Sequence, residues 1–212
     1  MKPFRRNPIS YFSAAGLLLV CMASMQASAA MSAASVAVLP PGYTMAYTGD
    51  PHDFDYFQGA WTTRQRRLVK RDVGSKGPWE AFPATLCMAE YLDGKATVDE
   101  LYFPTKGWAG LTLRLFDPAK RQWSIYWVSS ADGRMSPAMV GGFHGNHGEF
   151  YGEDQDQGQP VKVRFLWTKL DPDHARWEQS FSYDDRTWET NWIADFVRAN
   201  PADTCTHGRP NR

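Results

Sequence analysis

From Gly59 onward apolar and polar side chains change places at every second position, in short segments parted by turn residues. Val161, Val163, Phe165 and Trp167 alternate with Lys162, Arg164 and Thr168. Trp177 and Phe181 alternate with Arg176, Glu178 and Ser180, and Trp188, Trp192 and Phe196 with Glu189, Asn191 and Asp195. A period of two is the signature of a strand with one dry face and one wet face. Asp93-Gly94, Asp117-Pro118, Asp132-Gly133, Asn146-His147-Gly148 and Asp171-Pro172 supply the reversals. The reading predicts about ten strands, the first near residues 61–70 and the last near residues 187–198. No long amphipathic helix separates them, so parallel crossovers are excluded and each strand pairs with its sequence neighbour. Closing such a meander buries the apolar set and removes exposed edges. The expected fold is therefore all-β, an antiparallel up-and-down β-barrel of about eight to ten strands with a short N-terminal helix. Leu111, Leu113 and Leu115 are assigned to its dry face, and Arg114, Glu178, Asn191 and Asp195 to an outer ion-pair ladder. Only a reversed parity would turn those four polar residues into a site.

The segment before the barrel divides in three. In residues 1–29, Lys2, Arg5 and Arg6 precede an apolar run over 14–22 and the small triplet Ala27, Ser28, Ala29, the three-part plan of a secretory signal peptide. The run is shorter than the roughly 20 residues a spanning helix needs. The expectation is cleavage after Ala29, no stable membrane anchor, and a periplasmic or secreted protein. Residues 30–50 are small, proline-containing and aperiodic, a flexible leader. Asp50-Pro51 opens a short helix that sets Phe54 and Phe57 one turn apart and stops at Gly59. The barrel domain then spans 51–198, and 199–212 is a C-terminal tail.

Charge and cysteines narrow the partners. The chain has 23 basic and 23 acidic residues; removal of Lys2, Arg5 and Arg6 leaves 20 basic ones, a net charge near −3. That balance argues against nucleic acid, which needs a concentrated positive surface. Arg64, Gln65, Arg66, Arg67, Lys70 and Arg71 form one basic cluster that a strand splits between its faces, so it is no stripe; it is read as a solvated strand with cross-strand partners among Glu80, Glu90 and Asp99. Cys21 leaves with the signal, so Cys87 and Cys205 are either bonded or two unlinked thiols.

The run Asp53-Phe54-Asp55-Tyr56-Phe57-Gln58-Gly59-Ala60-Trp61 resembles the opening of a bacterial calycin-like family of unknown function, D-F-D-F-x-x-G-x-W. The likeness continues through Leu113-Arg114-Leu115-Phe116-Asp117-Pro118, Trp123-Ser124-Ile125-Tyr126-Trp127 and Arg176-Trp177-Glu178-Gln179 to Thr187-Trp188-Glu189-Thr190-Asn191-Trp192. It implies a lipocalin-like barrel plugged at one end by the segment before Trp61, and no assigned activity.

Catalytic signatures are missing from the sequence. No serine has a nucleophile-elbow setting, no glycine loop has phosphate-binding form, and Cys87 lacks an evident base. His144 and His147 with Glu149 straddle a turn, a poor frame for a metal. His52, Asp53 and Asp55 suit a helix start. The expected protein takes no cofactor or metal and binds a small apolar or amphipathic ligand. The candidate contacts are Trp61, Tyr102, Trp123, Trp127, Gln179, Thr190 and Trp192. An enzyme working at the barrel mouth through His52, Asp53, Glu100 or His144, and a structural or interaction module with a filled core, are the alternatives.

Overall fold

A computed structural model describes residues 38–212; the expected signal peptide and residues 30–37 of the leader lie outside them. Within the described residues, ten strands follow a single turn of 3-10 helix at Asp55–Phe57. They are β1 (Gly59–Leu68), β2 (Trp79–Tyr91), β3 (Ala96–Phe103), β4 (Trp108–Asp117) and β5 (Gln122–Ser129). The second half holds β6 (Met139–His144), β7 (His147–Asp156), β8 (Gln159–Asp171), β9 (His174–Ser182) and β10 (Glu189–Ala199). Every strand pairs antiparallel with its sequence neighbour, and β1 pairs with β10 to close the barrel. The up-and-down topology expected from the alternation is the one observed.

One end of the barrel is plugged. The turn at Asp55–Phe57 is held by bonds to the carbonyl three residues back, Asp55 N to His52 O at 3.2 Å and Phe57 N to Phe54 O at 2.9 Å. Phe54 stands edge-on to Trp123 with centroids 5.1 Å apart, and Phe57 lies between Trp61 and Phe196. Gly59, at φ +96°, swings the chain from plug into β1 in a conformation a Cβ would penalise. Arg198 seals the same end: its guanidinium donates to the carbonyls of Tyr56, Gln58 and Pro172 and stacks on Trp61.

Two flanking segments lie against the outer wall. Residues 38–50 run along it, with Tyr43 between Tyr151 and Trp188 and with Gln122 donating to the carbonyls of Met45 and Tyr47. The tail turns once at Pro201–Thr204 (α1), forms a small hairpin of β11 (Cys205–Thr206) and β12 (Arg209–Pro210), and lies against β2 and β3. A disulfide joins Cys87 to Cys205, their Cα atoms 6.1 Å apart, and Arg212 pairs with Glu100 beside it.

The parity reading needs correction in two places. On β4 it is inverted: Thr112, Arg114 and Phe116 face inward, while Leu111 and Leu115 keep 39% and 38% of their surface. On β10 a bulge at Asn191 lets Thr190 pair with Ser180 and Trp192 with Gln179, shifting everything before it by one position. Trp188 therefore sits on the outer wall, donating to the carbonyl of Pro41. Asn191, placed outside by the sequence, is fully buried at the bulge.

The open end is tied by a loop. Residues 69–78 join β1 to β2, and the backbone N–H groups of Asp72, Val73, Gly74 and Ser75 all converge on the Glu189 carboxylate, at 2.6 to 3.3 Å. Asp72, Gly74 and Ser75 have positive φ, which turns successive amides into one concave nest for an anion. Replacing Glu189 by glutamine keeps the shape but removes the charge from these bonds. The expected loss is about 1.5–3 kcal/mol in urea unfolding, with faster amide exchange across 72–75.

Candidate ligand cavity

The inward faces above the plug do not meet completely. They leave a cavity of about 110 Å³ whose walls are mainly aromatic and aliphatic, including Trp127, Phe165, Trp177, Phe181 and Trp192. Gly110 makes room for one of these walls: a Cβ there would lie 1.8 Å from the Trp127 indole.

The floor is polar. Arg114 on β4 bonds Asp99 on β3 at 2.5 Å and Thr97 at 3.4 Å, and both charged side chains line the cavity at 2% and 1% exposure. The guanidinium stands 4.9 Å from the Phe54 centroid and 5.7 Å from those of Phe57 and Trp167, so the plug closes over its far side. An ion pair this deep keeps its charges only through mutual attraction and full hydrogen bonding. Here the bonding is incomplete. Asp99 Oδ1, Arg114 Nε and Trp167 Nε1 are buried without a partner.

Other polar groups along the wall bond one another, although Asn191 Nδ2 is left without a partner. Gln65 donates to Thr63 and accepts from Trp192 Nε1 at 2.7 Å; Gln179 donates to Asn191 at 2.9 Å. Toward the mouth Arg67 lies over the Trp192 ring at 4.6 Å, and burial together with the nearby Arg71 pulls its guanidinium below the ordinary value. Arg71 clasps Asp156, which also accepts from Tyr183; burial pushes the Tyr183 phenol above its usual range. A wider cleft of about 650 Å³ lies outside, between the segment joining β5 to β6 and the ends of β7 to β9. Trp127, Ser136 and Asp154 border both spaces and form the partition between them. Ser136 holds that partition by bonding the backbone N–H and carbonyl of Trp127.

The seven residues expected to touch a ligand separate into three groups. Trp127, Gln179 and Trp192 line the cavity. Trp61 and Trp123 are fully buried in the plugged end, their indole N–H groups given to the carbonyls of Phe57 and Asp50. Tyr102 and Thr190 point outward: Tyr102 pairs with Ala109 and stacks under Arg212, while Thr190 bonds Ser180 on the far side of the wall. Asp99, Arg114 and Trp167, the cavity's polar features, were not among the seven.

Other constellations do not assemble around the cavity. His52 pairs with Asp55 at the plugged end, on the surface, and Glu100 faces outward to Arg212. Asp53 serves the plug by accepting from Asp50 N, and burial raises its carboxyl above the ordinary range. His144 and His147 face each other across an exposed turn, and among the described residues no three His, Cys, Asp or Glu side chains gather as metal ligands would. The basic cluster splits between the two faces of β1, as expected of residues on one strand: Gln65 and Arg67 point inward, and Arg66 pairs with Asp195. The acids expected to answer it are taken elsewhere, Asp99 by Arg114, Glu80 by Lys106 and Glu90 by Gln58. No protein-family model matches the chain, and no curated protein matches it either.

Proposed function

We propose that the protein is an exported, non-enzymatic barrel of the calycin-like kind that carries one small, mainly apolar ligand in its interior. The observation that carries this reading is the aromatic cavity whose lining includes the buried pair Arg114 and Asp99. A core serving only stability would be filled, since interiors normally pack to crystal density and pair their buried polar groups. Apolar walls with a few polar groups that orient the guest are the ordinary make-up of a ligand site. The volume sets the scale. At about 110 Å³ the space is smaller than the roughly 150 Å³ cavity that admits benzene elsewhere and far below the roughly 300 Å³ where drug-sized pockets begin. The guest is no larger than a single six-membered ring.

Export is supported by the three-part N-terminal segment and by a disulfide, a bond that persists in oxidising compartments. N-terminal sequencing of the protein from fractionated cells is expected to begin at Ala30, and an intact chain in the cytosol counts against export. Native mass spectrometry of protein taken from its own compartment is expected to find a bound compound of low mass. Bare polypeptide mass, joined to an unchanged spectrum when benzene is titrated in, retires the ligand reading.

A further inference from the structure

The end of the barrel opposite the plug is tied across. Arg71, in the segment joining β1 to β2, pairs with Asp156 at the end of β7, four places round the barrel, and Tyr183 from the turn before β10 donates to the same carboxylate. Glu189 holds that segment from β10 as well. The side wall is weaker. β6 is six residues long; it meets β5 only where Trp123–Ile125 face Met139–Gly141, and β7 only where residues 140–144 face 147–151. Nearer the mouth, residues 126–129 of β5 and 152–156 of β7 have no strand between them. Residues 130–138 bridge this notch, and they are fastened on one side. Ser136 bonds the backbone N–H and carbonyl of Trp127, Met135 bridges to Val128, and Ser130 bonds the backbone N–H and carbonyl of Ala109 on β4. Among the described residues, no hydrogen bond or ion pair ties 130–138 to β7, and no side chain of 130–138 is buried. Segments held by exposed hydrogen bonds, with little apolar surface buried, are the ones that open locally. Immediately behind this one, Trp127, Ser136 and Asp154 wall both the cavity and the outer cleft.

We propose that residues 130–138 are a door in the barrel wall, hinged on β4 and β5 and swinging away from β7, through which a guest passes between the outer cleft and the cavity. Opening carries Ser136 outward and lets the Trp127 indole follow, which joins the two spaces. The strap from Arg71 to Asp156 stays shut meanwhile. This rests on the reading of the barrel as a ligand carrier and adds the route by which that carrier loads.

The probe is xenon, a guest that dry apolar cavities take up and one smaller than benzene. Xenon exchange spectroscopy on the intact protein gives its affinity and its rate of leaving, in the unaltered chain and in two variants whose changed residues do not line the cavity. Ser130→Ala loosens the hinge at Ala109, and Arg71→Gln loosens the strap at Asp156. Ser130→Ala is expected to speed exchange about three- to tenfold at unchanged affinity, the range a lost hydrogen bond supports, while Arg71→Gln leaves the rate as it was. Amide exchange in the unaltered protein reads the same difference without mutation: the amides of Trp127 and Ser136 are expected to exchange at least about tenfold faster than those of 72–75. Faster exit in Arg71→Gln alone puts the entrance at the mouth and overturns the door, as does equal acceleration in both variants or none in either. Protection of 130–138 equal to that of 72–75 overturns it as well. Xenon that fails to bind at all removes the hollow interior, and with it both the carrier and its door.

Discussion

Replacing Arg114 by methionine is expected to lower the unfolding free energy by about 3–5 kcal/mol, because it strands the Asp99 carboxylate in a dry interior. Methionine approximates the volume, so the loss reports charge rather than a cavity. Asp99→Leu should destabilise by a similar amount for the mirror reason, leaving a guanidinium among Phe54, Phe57 and Trp167. The double variant is the informative one. With both charges gone and similar volumes in place, most of the stability is expected to return, since a buried ion pair seldom outperforms well-packed apolar residues. Urea denaturation of the two single variants and the double variant checks this. Single-variant losses below about 1 kcal/mol would mean that the floor is reached by water and that the pair is screened like a surface one. Stability that returns in the double variant means that the pair is not kept for folding.

That pair is also where reading the sequence reached its boundary. The period-two pattern announced strands, and turn residues at close intervals announced their order, because both are local properties. On β5, β8 and β9 it also identified the inner face: Trp123, Ile125 and Trp127, then Val163 and Trp167, then Trp177 and Phe181 are all turned inward. On β4 the same rule chose the leucines over Thr112 and Arg114, since alternation shows that two faces exist and hydrophobicity alone names the dry one. The inward choice there is decided by a partner on another strand. Thr97 is the register neighbour of Arg114, and Asp99 lies two positions further along β3, on the same side. The available clue was Asp99 itself, which shares its parity with Leu101 and Phe103 in an otherwise apolar set. The bulge at Asn191 was illegible for a different reason: one extra residue changes the face of Trp188 without disturbing the composition of the strand.

Removing the disulfide by Cys87→Ala with Cys205→Ala is expected to lower the unfolding free energy by about 3–5 kcal/mol while leaving the barrel's circular dichroism unchanged. The bond spans 118 residues of sequence. Treating its effect as restriction of the unfolded chain, a loop of that length corresponds to about 5 kcal/mol, an upper figure because compact unfolded chains have less freedom to lose. For a domain of this size the shift in melting temperature is roughly 10 °C. The folded state should register the loss only locally. Cys87 faces outward on β2 beneath the tail, and besides the disulfide the tail is held there by surface contacts such as Arg212 with Glu100. Those contacts are worth little in water. Amides of 199–212 are therefore expected to exchange rapidly in the variant, while those of β1 and β10, bonded across the barrel closure, keep their protection. Scanning calorimetry and hydrogen exchange together separate the two effects. A melting temperature that stays put while the tail frays would mean the bond restrains the tail alone, and that the closure between β1 and β10 holds the barrel without it.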